Sequence, residues 1–441
     1  MKDAWSGRTG FVLAAIGSAV GLGSIWKFPY EVGANGGASF VLFYVIGLLL
    51  AVVPLLLAEF AIGRGGGADA AGSIARLAVE HRVPRGWAWI GTLGVLTGVL
   101  VLSFYSVIGG WTLAYAVETA LDGLAGVDAA AVQARYDGLL GAPLRMTAYH
   151  ALFLAAAAAI VARGVARGIE ASAKLLMPLL VVLMIGLAAY SVVQGDAKAT
   201  LRFLFHLDPS AFTARAALEA LGLGFFSIGV GFGLMITYAA YAKPPIALLQ
   251  AGMFAVAADT AISLLAGLAV FPLVFANGLD PASGPGLVFV TLPIAFARMP
   301  FGALAALAFY ALLFVAALAS AISLLELAVA PLARRGWPRA RAAAAVAAAC
   351  FVAGLGTVFS FNLWAHWQPT PFDLLDQFTS NVMLPIAGFA LALFAGWAVP
   401  PSLLAGELRL GPRGTALLRG LLRWVTPALI AAAAAAPLLF G

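Results

Sequence analysis

The chain has 441 residues, of which 63% are hydrophobic and only 10% charged, and its mean hydropathy is +1.01. A soluble globular domain carries about 25% charged residues, so a water-facing fold is excluded, as are disorder, collagen and a disulfide scaffold. The single cysteine, Cys350, permits no internal disulfide, and the net charge of +6 has to be judged by where the charges lie.

A helix needs about 20 mainly apolar residues to cross the hydrocarbon core. Eleven stretches qualify, at roughly 8–31, 38–63, 87–121, 147–163, 169–194, 213–242, 247–277, 302–332, 338–358, 376–399 and 419–439. The longest connections, near 122–146 and 278–300, leave no room for a soluble domain. The expected fold class is an all-α polytopic membrane protein forming one transmembrane domain. With the N-terminus in the cytoplasm, 18 of the 25 Lys and Arg residues fall on the inner side and six outside, while Lys27 lies within a span. That bias orients the chain, and eleven spans then place the C-terminus outside. The basic charge is thus a topology signal, and no nucleic-acid partner is expected. Lys2 and Arg8 precede the first apolar run as in a signal peptide, but its length and the following Lys27, Pro29 and Glu31 argue against cleavage.

Glycine placement is the strongest local signal. The first span holds Gly17, Gly21 and Gly23; the sixth holds Gly222, Gly224, Gly229, Gly231 and Gly233. Glycine costs a helix about 1 kcal/mol relative to alanine, so such clusters permit unwinding. They also permit close helix packing, and one cluster alone favours that plainer reading. Matching clusters in the first and sixth spans instead suggest two five-helix repeats of opposite topology, with a binding site where the helices break. Repeat one would cover about 8–194, repeat two about 213–399, and the eleventh span would lie outside both.

The motifs carry a resemblance. Trp5 to Arg8, the run from Gly17 to Tyr30 with its Trp26-Lys27-Phe28-Pro29, Asn35 to Gly37, and Glu59 to Arg64 resemble the neurotransmitter:sodium symporter family. So do Phe225 to Ser227, Gly231 to Gly233, Thr237 to Tyr241, Gly286 to Pro293, and Phe372 to Asp376. The resemblance implies the LeuT-type 5+5 inverted repeat with broken first and sixth helices, in a bacterial inner membrane. It also implies sodium-driven uptake of amino acids or related amines, one or two sodium ions, no organic cofactor, and a monomer or weak homodimer in the bilayer.

Intramembrane charges default to functional hypotheses, and Lys27, Glu59, Asp259, Glu326 and Asp376 qualify. Lys27 reads as a snorkelling lysine and Asp376 as a helix cap; the resemblance makes them an outer gate over the substrate. By resemblance, one sodium would be held by the Ala19 carbonyl, Ser24, Ser227, Asp259 and the substrate carboxylate. Ser24 stands where the family has asparagine and Asp259 where it has an amide, which leaves a proton on Asp259 as the rival to sodium. Ser263 resembles a chloride-site serine, but Leu223 replaces a polar residue and Asp259 brings its own negative charge, so chloride-independent transport is expected. A second sodium would use the carbonyls of Gly17, Val20 and Ala316 with the Ser320 hydroxyl. Ala319 leaves that set one ligand short. On the inner side Lys2, Trp5 and Tyr241 resemble gate residues; the usual aspartate partner is replaced by Arg334, and Glu326 is the candidate substitute.

The resemblance places the substrate among Ala19, Gly21, Leu22, Gly23, Val101, Tyr105, Phe226, Gly229, Phe232, Ser320, Ala321 and Leu324. Tyr105 offers a hydroxyl to a carboxylate, and Gly21 lacks the aspartate that monoamine carriers use for the amine. A neutral, hydrophobic amino acid follows, moved by alternating access with Tyr105 and Phe232 sealing beneath the outer gate. Enzyme readings find no support, since H-E-x-x-H and G-x-S-x-G are absent and His81, His150, His206 and His366 stand apart. No repeated filter loop suggests a channel. A proton-coupled carrier of the same fold and a transport-silent sensor stay open, and saturable uptake separates them.

Overall fold

In lipid, backbone groups have only each other as partners, and among the described residues helix is the only regular structure. The structure, a computed structural model, describes residues 4–123, 127–282 and 286–440, the last five as main chain. The first predicted span is two helices, α1 (Arg8–Ala19) and α2 (Gly23–Ala34), bent by 48° at their break. Four unbroken spans follow: α3 (Ala38–Gly66), α4 (Arg85–Asp122), α5 (Pro143–Ala162) and α6 (Val165–Gln194). The sixth span is again two pieces, α7 (Ala214–Ile228) and α8 (Leu234–Ala240). The remainder are α9 (Leu248–Ala276), α10 (Gly302–Arg334), α11 (Arg339–Ser360), α12 (Pro371–Ala398) and α13 (Pro412–Ala435). Among the described residues, nine of these are long and apolar enough to cross a bilayer singly, and the bent pair α1–α2 makes a tenth. The α7–α8 pair, whose second half has seven residues, does not reach that measure.

Two expectations need correction, and the long connections carry structure of their own. The tenth span starts at Pro371, where Thr370 and Asp373 form a reciprocal capping box, so Asp376 sits within the helix and is not its cap. The Gly222–Gly224 cluster is helical and belongs to α7; the Gly224 Cα faces Leu48 and Val52 of α3, a close-packing role. The long connections are not bare loops, for they contain the helices Ala129–Leu140 and Leu287–Ala297. Apolar side chains build the second of these: Leu287, Val288, Phe289, Leu292 and Phe296 are all buried, with Phe289 against Trp111, Tyr115, Tyr136 and Tyr310.

Prolines shape the spans in a consistent way. The widened turns Gly23–Lys27, Leu48–Val52, Leu287–Thr291, Thr379–Met383 and Leu421–Val425 each end two residues before a proline: Pro29, Pro54, Pro293, Pro385 and Pro427. A proline ring clashes with the carbonyl four residues back and removes its hydrogen bond, and a π-type turn relieves the clash. The freed carbonyls find new donors. Leu50 O accepts from Thr426 Oγ1 at 3.1 Å, and Phe289 O from Tyr115 Oη at 3.1 Å.

α10 runs through the middle, buried along nearly its whole length and packed on α4, α6, α11 and α5. α6 turns Leu175, Val182, Ile185 and Val193 outward, an apolar face suited to lipid. At the end where α3 and α10 finish and α11 and α13 begin, ion pairs tie the spans together. Arg64 meets Glu407 at 2.5 Å, Arg334 meets Asp69, and Arg339 meets Glu326. This end is called the arginine-rich face below.

Candidate transport site

Both breaks are short and differ in construction. α1 stops because Val20 turns extended (φ −82°, ψ 103°). α7 and α8 are separated by Gly229, Val230, Gly231, Phe232 and Gly233, and all three glycines have positive φ: 72°, 91° and 75°. Only glycine adopts that conformation without strain. The loosened sixth span is then anchored by Glu59 of α3, fully buried, which accepts the Gly231 N–H at 2.6 Å and the Met235 N–H at 3.1 Å. A carboxylate thus satisfies donors at the start of α8 that no helical carbonyl reaches.

Beside the first break, Asp259 of α9 is fully buried and surrounded by hydroxyls. Ser24 Oγ lies 2.5 Å from Asp259 Oδ1, Ser227 Oγ 2.9 Å from the same oxygen, and Tyr44 Oη 2.7 Å from Oδ2. The two serines are themselves 2.9 Å apart. The sequence-predicted trio of Ser24, Ser227 and Asp259 is therefore brought together from α2, α7 and α9. Ala19, the fourth expected ligand, ends α1 with its side chain fully buried.

On the other flank, Ser320 Oγ of α10 is 3.5 Å from each of the carbonyls of Gly17, Ser18 and Val20. That is long for a hydrogen bond. Oxygens bound at about 2.3–2.6 Å to one hard cation and set at right angles would stand roughly 3.3–3.7 Å apart. The spacing therefore fits a cation's ligand shell, and every donor is a hard oxygen suited to sodium. Ala316, one turn before Ser320, is fully buried and Ala319 supplies only a methyl group.

Between these clusters lies a cavity of about 40 Å³. Gly21, Leu22, Gly23, Val101, Tyr105, Phe226, Gly229, Phe232, Ser320 and Leu324 line it, as expected from sequence, and Ser18, Ser227 and Leu234 join them. Ala19 and Ala321 do not line it; both are fully buried in helix packing. Tyr105 Oη accepts the Leu22 N–H at 3.3 Å, so its hydroxyl sits at the first break. A Cβ on Gly21 would overlap Ser320 Oγ and come within 3.1 Å of Tyr105 Oη. Gly21→Ala is accordingly expected to leave the protein folded but to crowd the cavity, at an overpacking cost of about 1–3 kcal/mol. Apparent substrate affinity should fall roughly 5- to 150-fold, which concentration-dependent uptake of a purified, monodisperse variant measures.

Away from the arginine-rich face, a larger cavity of about 890 Å³ reaches down to Phe226 and is lined by Lys27, Glu31, Arg215 and Glu219 among others. The expected outer pair is not closed. Lys27 Nζ stands over the Phe226 ring, 5.1 Å from its centroid, and Asp376 Oδ1 accepts from Ser380 Oγ at 3.2 Å. Among the described residues, no ion pair links Lys27 to Asp376.

The arginine-rich face is shut by Trp5. Its indole N–H donates to Tyr238 O at 2.9 Å and its backbone N–H to Tyr241 O at 3.3 Å, and the ring packs on Phe11 and both tyrosines. Ser6 N–H donates to Glu170 Oε2 at 2.7 Å, and Lys174 pairs with the same carboxylate at 2.6 Å. Glu326 is engaged by the Tyr241 hydroxyl at 2.7 Å and by Arg339. Lys2, its expected partner, lies outside the described residues. Arg334, which occupies the expected aspartate's place, pairs instead with Asp69, the N-cap of the helix Ala70–Glu80.

Tyr44, Ser18 and Arg339 are the site residues the sequence did not disclose; Glu59 stood out as an intramembrane charge, but its partners at the sixth-span break did not.

Two broken helices that enclose a small cavity flanked by two clusters of oxygen atoms are the arrangement of a polytopic membrane carrier. The chain matches the model of the sodium:neurotransmitter symporter family over residues 2–128 and 141–437. It therefore belongs to that family, and it is a sodium-dependent transmembrane symporter with the LeuT-type fold. An uncharacterized sodium-dependent transporter of Bacillus subtilis, YhdH, is 36% identical over 412 residues, covering 92% of this chain and 90% of its own. One from Haemophilus influenzae is 30% identical, with 90% of each chain covered. The crystal structure of MhsT in complex with L-phenylalanine superposes with a TM-score of 0.91 at 40% identity, covering 98% of this chain and 99% of that one.

Proposed function

We propose that this symporter imports a neutral, hydrophobic amino acid by alternating access, with the arginine-rich face toward the cytoplasm. The observation that carries the reading is the cavity at the meeting of the two breaks. Its polar end is the Leu22 N–H, the Tyr105 hydroxyl and Ser320, which suit a carboxylate and an ion; its other walls are Val101, Phe226, Phe232 and Leu324. Among the described residues no acidic side chain lines it to receive a lone amine, and MhsT was solved with an amino acid bound. Forty cubic ångströms hold only a few water-sized spheres. A larger substrate makes room by turning the rings of Phe226 and Phe232, and that turn couples occupancy to closure of Lys27 toward Asp376.

One sodium would sit with Ser24, Ser227, Asp259 and the Ala19 carbonyl, beside the substrate carboxylate. A second would sit with Ser320 and the carbonyls of Gly17, Val20 and Ala316. The two five-helix repeats, about 8–194 and 213–399, rock around these fixed sites, and Trp5, Tyr241 and Glu326 release when the inner side opens. Ligands drive the cycle only through different affinities for the two states.

The test is uptake of a labelled neutral amino-acid panel into proteoliposomes under sodium, potassium or proton gradients. Accumulation of an apolar member with inward sodium is expected. Equal uptake under a proton gradient alone would assign coupling to Asp259 as a proton carrier, and uptake of no member would overturn the substrate assignment. Asp259 already supplies the negative charge that a chloride would bring, 2.7 Å from Tyr44. Uptake should therefore be unchanged when gluconate replaces chloride; a loss would show that an anion is still needed.

A further inference from the structure

A cleft of about 570 Å³ opens on the arginine-rich face between the helix Pro401–Leu408 and the start of α13. It plays no part in the transport site. Arg419 and Arg423, one turn apart on α13, both line it. Each donates its Nε–H to a single acceptor, the Gly396 carbonyl, at 3.0 Å and 2.8 Å. Gly396 makes this possible: a Cβ there would meet Arg423 Cγ at 3.0 Å and its backbone nitrogen at 3.1 Å. The shared carbonyl holds two cations side by side. Their remaining guanidinium donors have no protein partner among the described residues, and no carboxylate pairs with either. Glu407, the nearest acid in sequence, is taken by Arg64.

Two guanidiniums held side by side with donors to spare suit an anion, and the surroundings say which kind. Arg423 lies 4.6 Å over the Trp397 ring, and Trp397 packs edge-on against Trp424 at 5.1 Å. Those indoles are 49% and 65% exposed, and Leu417 nearby is 67% exposed. Paired exposed tryptophans beside arginine, on a helix that continues into the apolar run, are the pattern of the membrane–water interface. We propose that this cleft binds the phosphate of an anionic phospholipid from the adjoining leaflet. The two guanidiniums grip the phosphate oxygens, the Ser402 hydroxyl lines the same cleft, and the acyl chains run along Leu417 and Trp424.

The full-length protein in mild detergent is titrated with phosphatidylglycerol or phosphatidylcholine, and bound lipid is counted by native mass spectrometry. The protein should retain phosphatidylglycerol preferentially, and Arg419→Gln/Arg423→Gln should lower that affinity roughly 30-fold, the worth of two arginines at an anionic surface. Arg335→Gln/Arg341→Gln, which removes two exposed charges from the same face, should change it little. Equal binding of both lipids, or equal losses in the two double variants, would overturn the proposal. So would displacement of the lipid by equimolar inorganic phosphate, which would mark a soluble-anion site. If the glutamine pair does not purify as a single species, Arg419→Lys/Arg423→Lys decides. It keeps the charge but loses the fork, so several-fold weaker lipid binding supports the site, and unchanged binding refutes it.

Discussion

Asp259→Ala should abolish sodium-driven uptake and destabilise the protein. The carboxylate organises three buried hydroxyls, those of Ser24, Ser227 and Tyr44, at 2.5, 2.9 and 2.7 Å. Hydrogen bonds to a charged group are worth about 1.5–3 kcal/mol each, and a buried hydroxyl left without its partner costs about 1–3 kcal/mol. The alanine variant loses the network and the site's charge together. Asp259→Asn separates the two effects. It keeps the shape and one acceptor oxygen, so folding should survive while the sodium concentration for half-maximal uptake rises roughly 10- to 100-fold, as expected for losing one charged ligand. Sodium titration of uptake, with thermal unfolding alongside, checks both variants. Unchanged sodium dependence in Asp259→Asn would remove Asp259 from the ion site.

Glu59→Ala should damage folding as well as transport. Its carboxylate is the acceptor for Gly231 N–H and Met235 N–H, at 2.6 and 3.1 Å, and the position is fully buried. Truncation strands those donors in the interior and lets the glycine linker drift, at a cost of about 2–6 kcal/mol for two lost partners. Glu59→Gln is the more telling variant. Its amide has one acceptor oxygen for two backbone donors and points an N–H at the positive end of α8. Expression and unfolding temperature should fall for both, alanine further than glutamine. Uptake by whatever glutamine protein remains folded should also drop, because the sixth-span break is no longer held in register. Glutamine protein with wild-type stability and uptake would refute the anchoring role.

Of the glycines that marked the sixth span, those at 229, 231 and 233 form the break, because positive φ is a demand that one residue type meets cheaply. The Gly222–Gly224 cluster deceived for the complementary reason: glycine serves close packing as readily as unwinding, and only the neighbouring Leu48 and Val52 tell which. Asp259 stood out as a carboxylate in an apolar run. Its partner Tyr44 did not, since a tyrosine in a span reads as packing and the two lie 215 positions apart. Glu59 and Gly231 are separated by 172 positions in the same way. The prolines at 29, 54, 293, 385 and 427 were visible throughout, but the widened turns before them follow from a clash that hydrophobic periodicity does not register. Asp376 fell inside its helix because Thr370 and Asp373 made a better start five residues earlier than the apolar run suggested.

The cavity is made of two kinds of material. Its polar end joins main chain, the turn around Leu22, to the Tyr105 and Ser320 hydroxyls, whereas its apolar walls are single side chains from separate helices: Val101 from α4, Phe226 from α7 and Leu324 from α10. Main chain is mute to point substitution, and side chains are not. A lineage can therefore resize what the carrier accepts one wall at a time, trading Phe226 or Val101 for larger or smaller groups, while the grip on the common part of every candidate solute stays inherited. If the proposed amino-acid substrate is right, relatives with divergent walls should differ in which side chains they admit long before they differ in needing a carboxylate.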